Sequence, residues 1–234
     1  MATLRILSAG AAQAVTERTI EAFRRDTGNE VAADFGAVGA MKARVTGGES
    51  VDVIILTLAM IDELVAASLV VPGSRFDLGR VGTGVAVRAG TPPPDISRAD
   101  TLRETILAAS KVVCPDPAIA TAGKVVMSLM EKLGIADRVR GRMQFFPNGY
   151  AAMGWLAASG SALDLGITQV TEIVPNKGVM YAGPLPDEFQ MKAVYSAGLA
   201  ARAAESQLAK DFIARFAGPS ARAMLAEAGY ELWP

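Results

Sequence analysis

The feature that most constrains this chain is a strand-to-helix turn built from small residues, clearest in residues 31–45 (VAADFGAVGAMKARV). The segment from Val31 predicts a short strand, and Gly36 and Gly39 mark a turn into a helix. Such a turn directs free backbone N–H groups and the positive end of a helix dipole at one point. It is therefore a candidate anion site, although two glycines alone are more typical of an ordinary strand-to-helix connection.

The same kind of turn recurs along the chain. Strands predicted at residues 4–7, 51–56, 111–114 and 143–146 are each followed by small or polar residues and then by a helix. This alternation is typical of an α/β fold, in which ligands bind outside the carboxyl ends of parallel strands. The candidates that this rule places at the sheet edge are Ser8, the Val38–Gly39 turn and Thr57. For Ser8 and Thr57, capping a helix is the simpler role.

The proline-rich segment 90–94 (GTPPP) indicates that the chain has left a first lobe. A later strand at residues 191–198 can return to that lobe. We therefore predict two α/β lobes joined by two strand crossovers, with residues 1–82 plus 194–234 in one and residues 83–193 in the other. A cleft between two lobes is the default place for a small ligand.

Composition excludes several classes of function. Lys and Arg number 23 against 24 for Asp and Glu, so bulk charge favours no nucleic-acid partner. The absence of histidine removes the commonest metal ligand and the usual base of Ser-His-Asp enzymes. Cys114 is the single cysteine, and no nucleotide-binding fingerprint is present. We expect no metal and no cofactor. We expect no insertion into a membrane, because the apolar runs are short. We also expect a monomer.

Eight short segments, taken in their order and spacing, resemble the molybdate-type branch of the periplasmic solute-binding proteins. They are residues 7–12 (LSAGAA), 35–40 (FGAVGA), 51–55 (VDVII), 73–75 (GSR), 84–90 (GVAVRAG), 116–117 (DP), 169–173 (QVTEI) and 183–186 (GPLP). The resemblance implies the type II Venus-flytrap fold, closing on an anion held by hydroxyls and backbone N–H groups. It also implies an ABC importer as partner.

Carried over by position, the resemblance implies a set of ligand-binding residues. They are Ser8, Ala9, Val38, Gly39, Thr57, Ala122, Gly149 (or its neighbour Tyr150) and Gln169. Two of these depart from the family pattern, because Val38 replaces a serine and Gln169 lies near the position of a tyrosine. Losing two hydroxyls weakens the case for molybdate, since selection of an oxyanion needs a cage lined by donors.

Two functions stay open at this point. One is a non-catalytic binding protein for an oxyanion or a small carboxylate. The other is an isomerase of a small tricarboxylate, because residues 169–173 also resemble a subgroup that includes aconitate isomerase. The isomerase would need a cation, for which Lys42 is the possible charge partner, and a proton-transfer group such as Glu172 or Asp116. The simpler interpretations are an exposed lysine, a helix-end charge and a turn former, so no catalytic residue is assigned.

The expected cellular location depends on which of these two functions the protein has. No export signal precedes the predicted first strand in residues 4–7. A protein that delivers its ligand to an importer must be exported, so we expect a periplasmic protein if a signal peptide was removed and a cytoplasmic one otherwise.

Overall fold

The computed structural model describes residues 2–233, and it divides into two compact units. Unit 1 contains the described residues up to Val81 and from Ala193 onward, and unit 2 contains Gly82–Lys192. Each unit has one five-stranded mixed sheet with helices packed on it. The predicted α/β class is confirmed. Within residues 2–233, none of the helices combines the length and the apolar character needed to cross a membrane.

Strands and helices alternate through most of the chain. The strands are β1 Thr3–Ala9, β2 Glu30–Gly36, β3 Val53–Thr57, β4 Phe76–Val81, β5 Thr83–Arg88, β6 Val112–Pro115, β7 Met143–Phe146, β8 Leu165–Gln169, β9 Val179–Pro184 and β10 Ala193–Leu199. The helices are α1 Gln13–Thr27, α2 Val38–Thr46, α3 Leu58–Ala66, α4 Ala99–Ala108, α5 Thr121–Lys132, α6 Ala136–Val139, α7 Gly149–Ala158, α8 Val170–Ile173, α9 Ser206–Ala214 and α10 Pro219–Glu227.

The sheet of unit 1 has the strand order β2-β1-β3-β10-β4. Strands β1, β2 and β3 are parallel, with Ser8 opposite both Phe35 and Ile55. Strand β10 runs antiparallel to β3 and β4. The parallel strands therefore end at one edge, where their turns lead into the first helices of the unit.

The core of unit 1 is apolar because the central strands are covered on both faces. The first four residues of strand β3 form an uninterrupted apolar run and are fully buried. On one side the rings of Phe23 and Phe212 pack edge to face, with centroids 5.5 Å apart, and Phe216 extends the stack. Such aromatic contacts add about 0.5–1.5 kcal/mol each beyond the area they bury.

The sheet of unit 2 has the strand order β7-β6-β8-β5-β9. Strand β6 is parallel to β7 and β8, while β5 is antiparallel to β8 and β9. Helix α5 packs with Val85 and Ile167 on one face. Helix α7 packs with Ala86 and Val113 on the other face. Because side chains alternate along a strand, these contacts also determine which face of the sheet each polar residue of β5 and β8 lies on.

One predicted strand is divided in the structure. The sequence pattern of residues 81–87 (VGTGVAV) predicts a single strand, but β4 ends at Val81 and β5 begins at Thr83, with Gly82 between them. The side-chain amide of Gln190 accepts from Thr83 N–H at 2.7 Å and donates to Thr83 O at 2.9 Å. A Cβ on Gly82 would lie 3.1 Å from Gln190 Oε1, so glycine gives this amide room to reach the backbone.

Candidate functional site

Several buried polar residues of unit 2 lie at the edge where β6, β7 and β8 end. Helix α5 begins at Thr121 after Ala120, whose side chain offers no capping oxygen. The N–H groups of its first turn therefore lack a helical acceptor. Gly123 lies against the end of β6, since a Cβ there would approach Pro117 N to 2.7 Å. This contact holds the uncapped first turn of α5 at the carboxyl end of β6.

The first turn of α7 is occupied by groups of the protein itself. The Asn148 side chain accepts a hydrogen bond from Ala151 N–H at 2.8 Å, which is an ordinary N-cap. The N–H of Gly149 donates to Glu172 Oε1 at 3.1 Å. Gly149 was predicted as a ligand donor, but its N–H is committed to this carboxyl group. A Cβ on Gly149 would overlap both Glu172 and Thr168.

Glu172 is a buried acid and not the exposed helix-end charge that was its simpler interpretation. Its other oxygen, Oε2, accepts from Thr168 Oγ1 at 2.5 Å. The residue is 4% exposed, and burial raises the pKa of its carboxyl to about 7, while the hydrogen bonds from Thr168, Gly149 and the Gln169 backbone oppose that rise. With both oxygens bonded inside unit 2, Glu172 fastens α7 to the end of β8.

Gln169 and Thr83 form the second polar group at this edge. They lie directly opposite each other on antiparallel strands β8 and β5. Gln169 is two residues from Ile167 and Thr83 is two residues from Val85, and both of these apolar residues pack with α5. Since residues two apart in a strand share a face, the Gln169 and Thr83 side chains lie on the α5 face. Gln169 is 2% exposed and Thr83 is fully buried, yet Gln169 Nε2, Gln169 Oε1 and Thr83 Oγ1 have no hydrogen-bond partner within residues 2–233. Buried polar atoms are rarely left in that condition.

In unit 1 the predicted residues line the carboxyl ends of the parallel strands. Ser8 is fully buried at the end of β1, and its hydroxyl donates to Ala9 O at 3.1 Å. Val38 and Gly39 open α2, which follows Ala37 and so has no side-chain cap. Thr57 precedes α3, but its hydroxyl makes no capping bond in the described structure. The sheet edge therefore brings these residues to the ends of adjacent strands, where their role in binding stays a prediction.

Lys42 and Asp116 each have a partner in the protein. The Lys42 ammonium forms an ion pair with Glu63. Asp116 Oδ1 accepts from Ala118 N–H at 2.8 Å, which is the local turn that its position between two prolines suggested. Both residues therefore already have a partner within the described chain. Among the described residues, no group of three or more cysteine or carboxylate side chains is arranged to hold a metal ion.

Sequence reasoning did not single out Thr83, Thr168 or Thr171. Thr171 is 1% exposed, and its hydroxyl has no partner within the described chain. A usable signal existed for Thr83, because four apolar residues follow it in β5 and it shares a face with Val85 and Val87. A hydroxyl at such a position has to find a partner, within the protein or from outside it.

Comparison with known proteins gives this chain its family. The model of the family described as bacterial extracellular solute-binding protein matches residues 4–231. Aconitate isomerase from a Pseudomonas species is 27% identical over 241 aligned positions, which cover 99% of this chain and 88% of that protein.

Solved structures of the same fold are also similar to this chain. The periplasmic molybdate-binding protein of Azotobacter vinelandii has a TM-score of 0.81 at 22% identity, covering 99% of this chain and 100% of that one. The sulfate-binding protein SubI of Mycobacterium tuberculosis H37Rv has a TM-score of 0.70 at 17% identity, covering 98% of this chain and 86% of that one. At these identities the likeness shows the two-lobed periplasmic binding-protein fold alone. The family match extends over nearly the whole sequence, and the chain belongs to the bacterial extracellular solute-binding proteins.

Proposed function

We propose that this protein binds a small anion, either an oxyanion or a small carboxylate, and that the carboxyl edge of the unit 2 sheet supplies part of the binding site. The observation that carries the proposal is the buried Gln169 amide without a partner, which lies at the end of β8 on the sheet face that α5 covers; the first turn of α5 has no side-chain cap. An unsatisfied buried amide costs about 1–3 kcal/mol, so its retention is explained if a ligand completes its hydrogen bonds.

The charge of the ligand would be balanced by backbone dipoles. The N–H groups at the start of α5, Ala122 among them, carry the positive end of a helix dipole. The chain as a whole has a net charge of −1, so bulk positive charge would not attract the ligand. Fixed N–H donors suit a small anion, because they need no desolvated cation beside it.

The transport role rests on family membership. We propose that the protein delivers its ligand to an ABC importer and is periplasmic, which is the usual arrangement for a binding protein of this kind. In this proposal the unit 1 residues Ser8, Ala9, Val38, Gly39 and Thr57 are further ligand contacts. Molybdate itself is not singled out, because Val38 and Gln169 lie at or near positions where the molybdate-type pattern has a serine and a tyrosine.

A ligand panel tests the proposal. The midpoint of thermal unfolding is measured at pH 7 with molybdate, tungstate, sulfate, phosphate, citrate, and cis- and trans-aconitate. A ligand at a hundredfold its dissociation constant stabilises the native state by about 2.7 kcal/mol, which raises the midpoint by a few degrees. If none of these anions raises the midpoint, and titration calorimetry with each also gives no heat of binding, anion binding is excluded for this panel.

A pair of glycine variants tests whether α5 is involved. A Cβ at Gly123 would press on the loop that follows β6 and displace the first turn of α5, whereas a Cβ at Gly141 has nothing within 4 Å. We expect Gly123→Ala to weaken binding at least tenfold and Gly141→Ala to leave it unchanged. Circular dichroism of both variants establishes that they are folded. Equal affinities in two folded variants would remove α5 from the site.

A second candidate function is isomerisation of a small tricarboxylate. It is favoured by the relative named aconitate isomerase, which aligns with 99% of this chain. Glu172 was a candidate acid or base, but both its oxygens are bonded within unit 2, so we do not assign it that step. Incubation with cis-aconitate, followed by chromatographic detection of trans-aconitate, tests the activity. Heat-denatured protein is the control, and turnover equal to that control excludes the isomerase.

A further inference from the structure

The Gln169 amide has an acceptor as well as donors, and this limits what its ligand can be. A donor-lined cage suits a fully ionised oxyanion, which can only accept hydrogen bonds. Gln169 Oε1 is also buried without a partner, and an oxyanion without a proton cannot satisfy it. Exchanging the two ends of the amide would not change this, because either assignment leaves one carbonyl oxygen needing a donor.

Thr83 does not relieve the restriction in this structure, because its hydroxyl does not donate to Gln169 Oε1. Its hydroxyl lies on the same face as the Gln169 side chain, directly across the strand pair, and is also without a partner within the described residues. The amide of Gln190 fixes the Thr83 backbone through two hydrogen bonds, so Thr83 is held in place in the absence of a ligand. Together the pair offers an amide oxygen, an amide NH₂ and one hydroxyl.

We propose that Gln169 and Thr83 select a small anion that also presents an O–H group, such as a hydroxycarboxylate or a hydrogen phosphate. The ligand O–H donates to Gln169 Oε1, while the same oxygen accepts from Gln169 Nε2 or from Thr83. The anionic oxygens accept from the first turn of α5. This inference rests on the proposed function and narrows its ligand class. On this basis cis-aconitate, which has no hydroxyl, binds more weakly than citrate.

Three matched pairs of probes test the requirement for an O–H group. Calorimetric titration at pH 7 compares citrate with tricarballylate, malate with succinate, and phosphate with sulfate, and the second member of each pair lacks the O–H. We expect the first member to bind at least tenfold more tightly in at least one pair. Discrimination in a carboxylate pair would identify the ligand as a hydroxycarboxylate, and discrimination in the phosphate–sulfate pair would identify it as a hydrogen phosphate. A site built to bond a hydroxyl rejects an analogue without it strongly, because its own polar atoms are left unpaired.

Variants then assign the discrimination to these two residues. Gln169→Met keeps the length of the side chain and removes both polar atoms, and we expect it to reduce the discrimination to less than threefold. Thr83→Val keeps the shape of the side chain and removes only its hydroxyl. We expect it to reduce the discrimination less than Gln169→Met does. The control is Gln207→Met, because Gln207 is an exposed glutamine that bonds Asp211 on α9 in unit 1. This control should keep the wild-type discrimination.

The outcomes separate this inference from the proposed function. If wild-type protein binds both members of every pair equally, or binds only molybdate or sulfate, an anion site exists but the O–H requirement is wrong. If folded Gln169→Met keeps the full discrimination, the assignment to Gln169 is wrong. If no probe of either panel binds, the proposed function fails and this inference fails with it.

Discussion

Gly149 donates its backbone N–H to the carboxyl group of Glu172 across 3.1 Å, and the two residues are 23 positions apart in the sequence. This bond joins the first turn of α7 to the short helix after β8. Thr168 completes the arrangement through Glu172 Oε2. A residue larger than glycine at position 149 would overlap the carboxyl group. The carboxyl group of Glu172 therefore connects the end of β8 to the start of α7.

The raised pKa of Glu172 makes the stability of the protein depend on pH. Its folded pKa is about 7 against an ordinary value of 4.5, so between these values the native state binds a proton that the unfolded state has lost. Stability from this group is fully present below pH 4.5 and is lost as the pH rises through 7, at about 1.4 kcal/mol per pH unit.

Glu172→Gln isolates this effect, because glutamine has the shape of the protonated acid and does not titrate. We expect the variant to gain stability relative to wild type between pH 5 and pH 7, and the difference to level off by pH 8. Urea unfolding of both proteins at each pH measures the difference. A difference that is constant across this range would show that Glu172 has an ordinary pKa.

Gly149→Ala should destabilise the protein through overpacking. The added methyl group meets Glu172 and Thr168, both buried, and such insertions cost about 1–3 kcal/mol. Gly154→Ala is the matched control in the same helix, since its Cβ has nothing within 4 Å and the residue is exposed. There alanine should stabilise α7 by up to about 1 kcal/mol. Effects of the same sign in both variants would contradict the proposed contact at Gly149.

Asp52 holds two separate parts of unit 1 together. Its two carboxylate oxygens accept from Arg5 N–H at 2.8 Å and from Glu205 N–H at 3.0 Å, and the residue is 2% exposed. Asp52→Asn places an amide NH₂ against one of these donors, so we expect a loss of about 1–3 kcal/mol in urea unfolding. The exposed pair of Asp62 with Arg75 is the control, and Asp62→Asn should cost less than 1 kcal/mol. Similar losses in both would remove the structural role of Asp52.

The parts of this fold that local patterns determine could be predicted from sequence. Strands β3 and β6 are short apolar runs, and α1 ends at Gly28 in the left-handed conformation, as a helix-stop glycine should. Strand β4 was missed because Gly79 and two charged residues interrupt its pattern. Its identity depends on distant pairings, including the bridge between Arg80 and Glu231 near the C-terminus. Information of that kind is absent from a local window.

The candidate site divides in the same way. The resemblance singled out Gln169 as a ligand-binding residue, and the structure shows that it is the last residue of β8. It could not reveal that Glu172, three residues later, is buried, because that burial depends on the turn at Gly149. Nor could it reveal that Thr83 faces Gln169, which requires the antiparallel register of β5 and β8. Sequence thus identified the turns, and tertiary contacts decide which polar atoms in them are already bonded.

Cys114 offers a test of how unit 2 opens. It is fully buried in β6, and burial together with the charge of Asp116 raises the pKa of its thiol to about 12. At pH 8 only about one thiol in ten thousand would be ionised, so the native protein should not react with a disulfide reagent such as DTNB within minutes. Unfolding in urea should release one thiol per chain, because the sequence has a single cysteine. A ligand bound to unit 2 should slow the labelling further at low urea, by reducing the population of the open state. Stoichiometric labelling of the native protein within minutes would show instead that β6 is accessible.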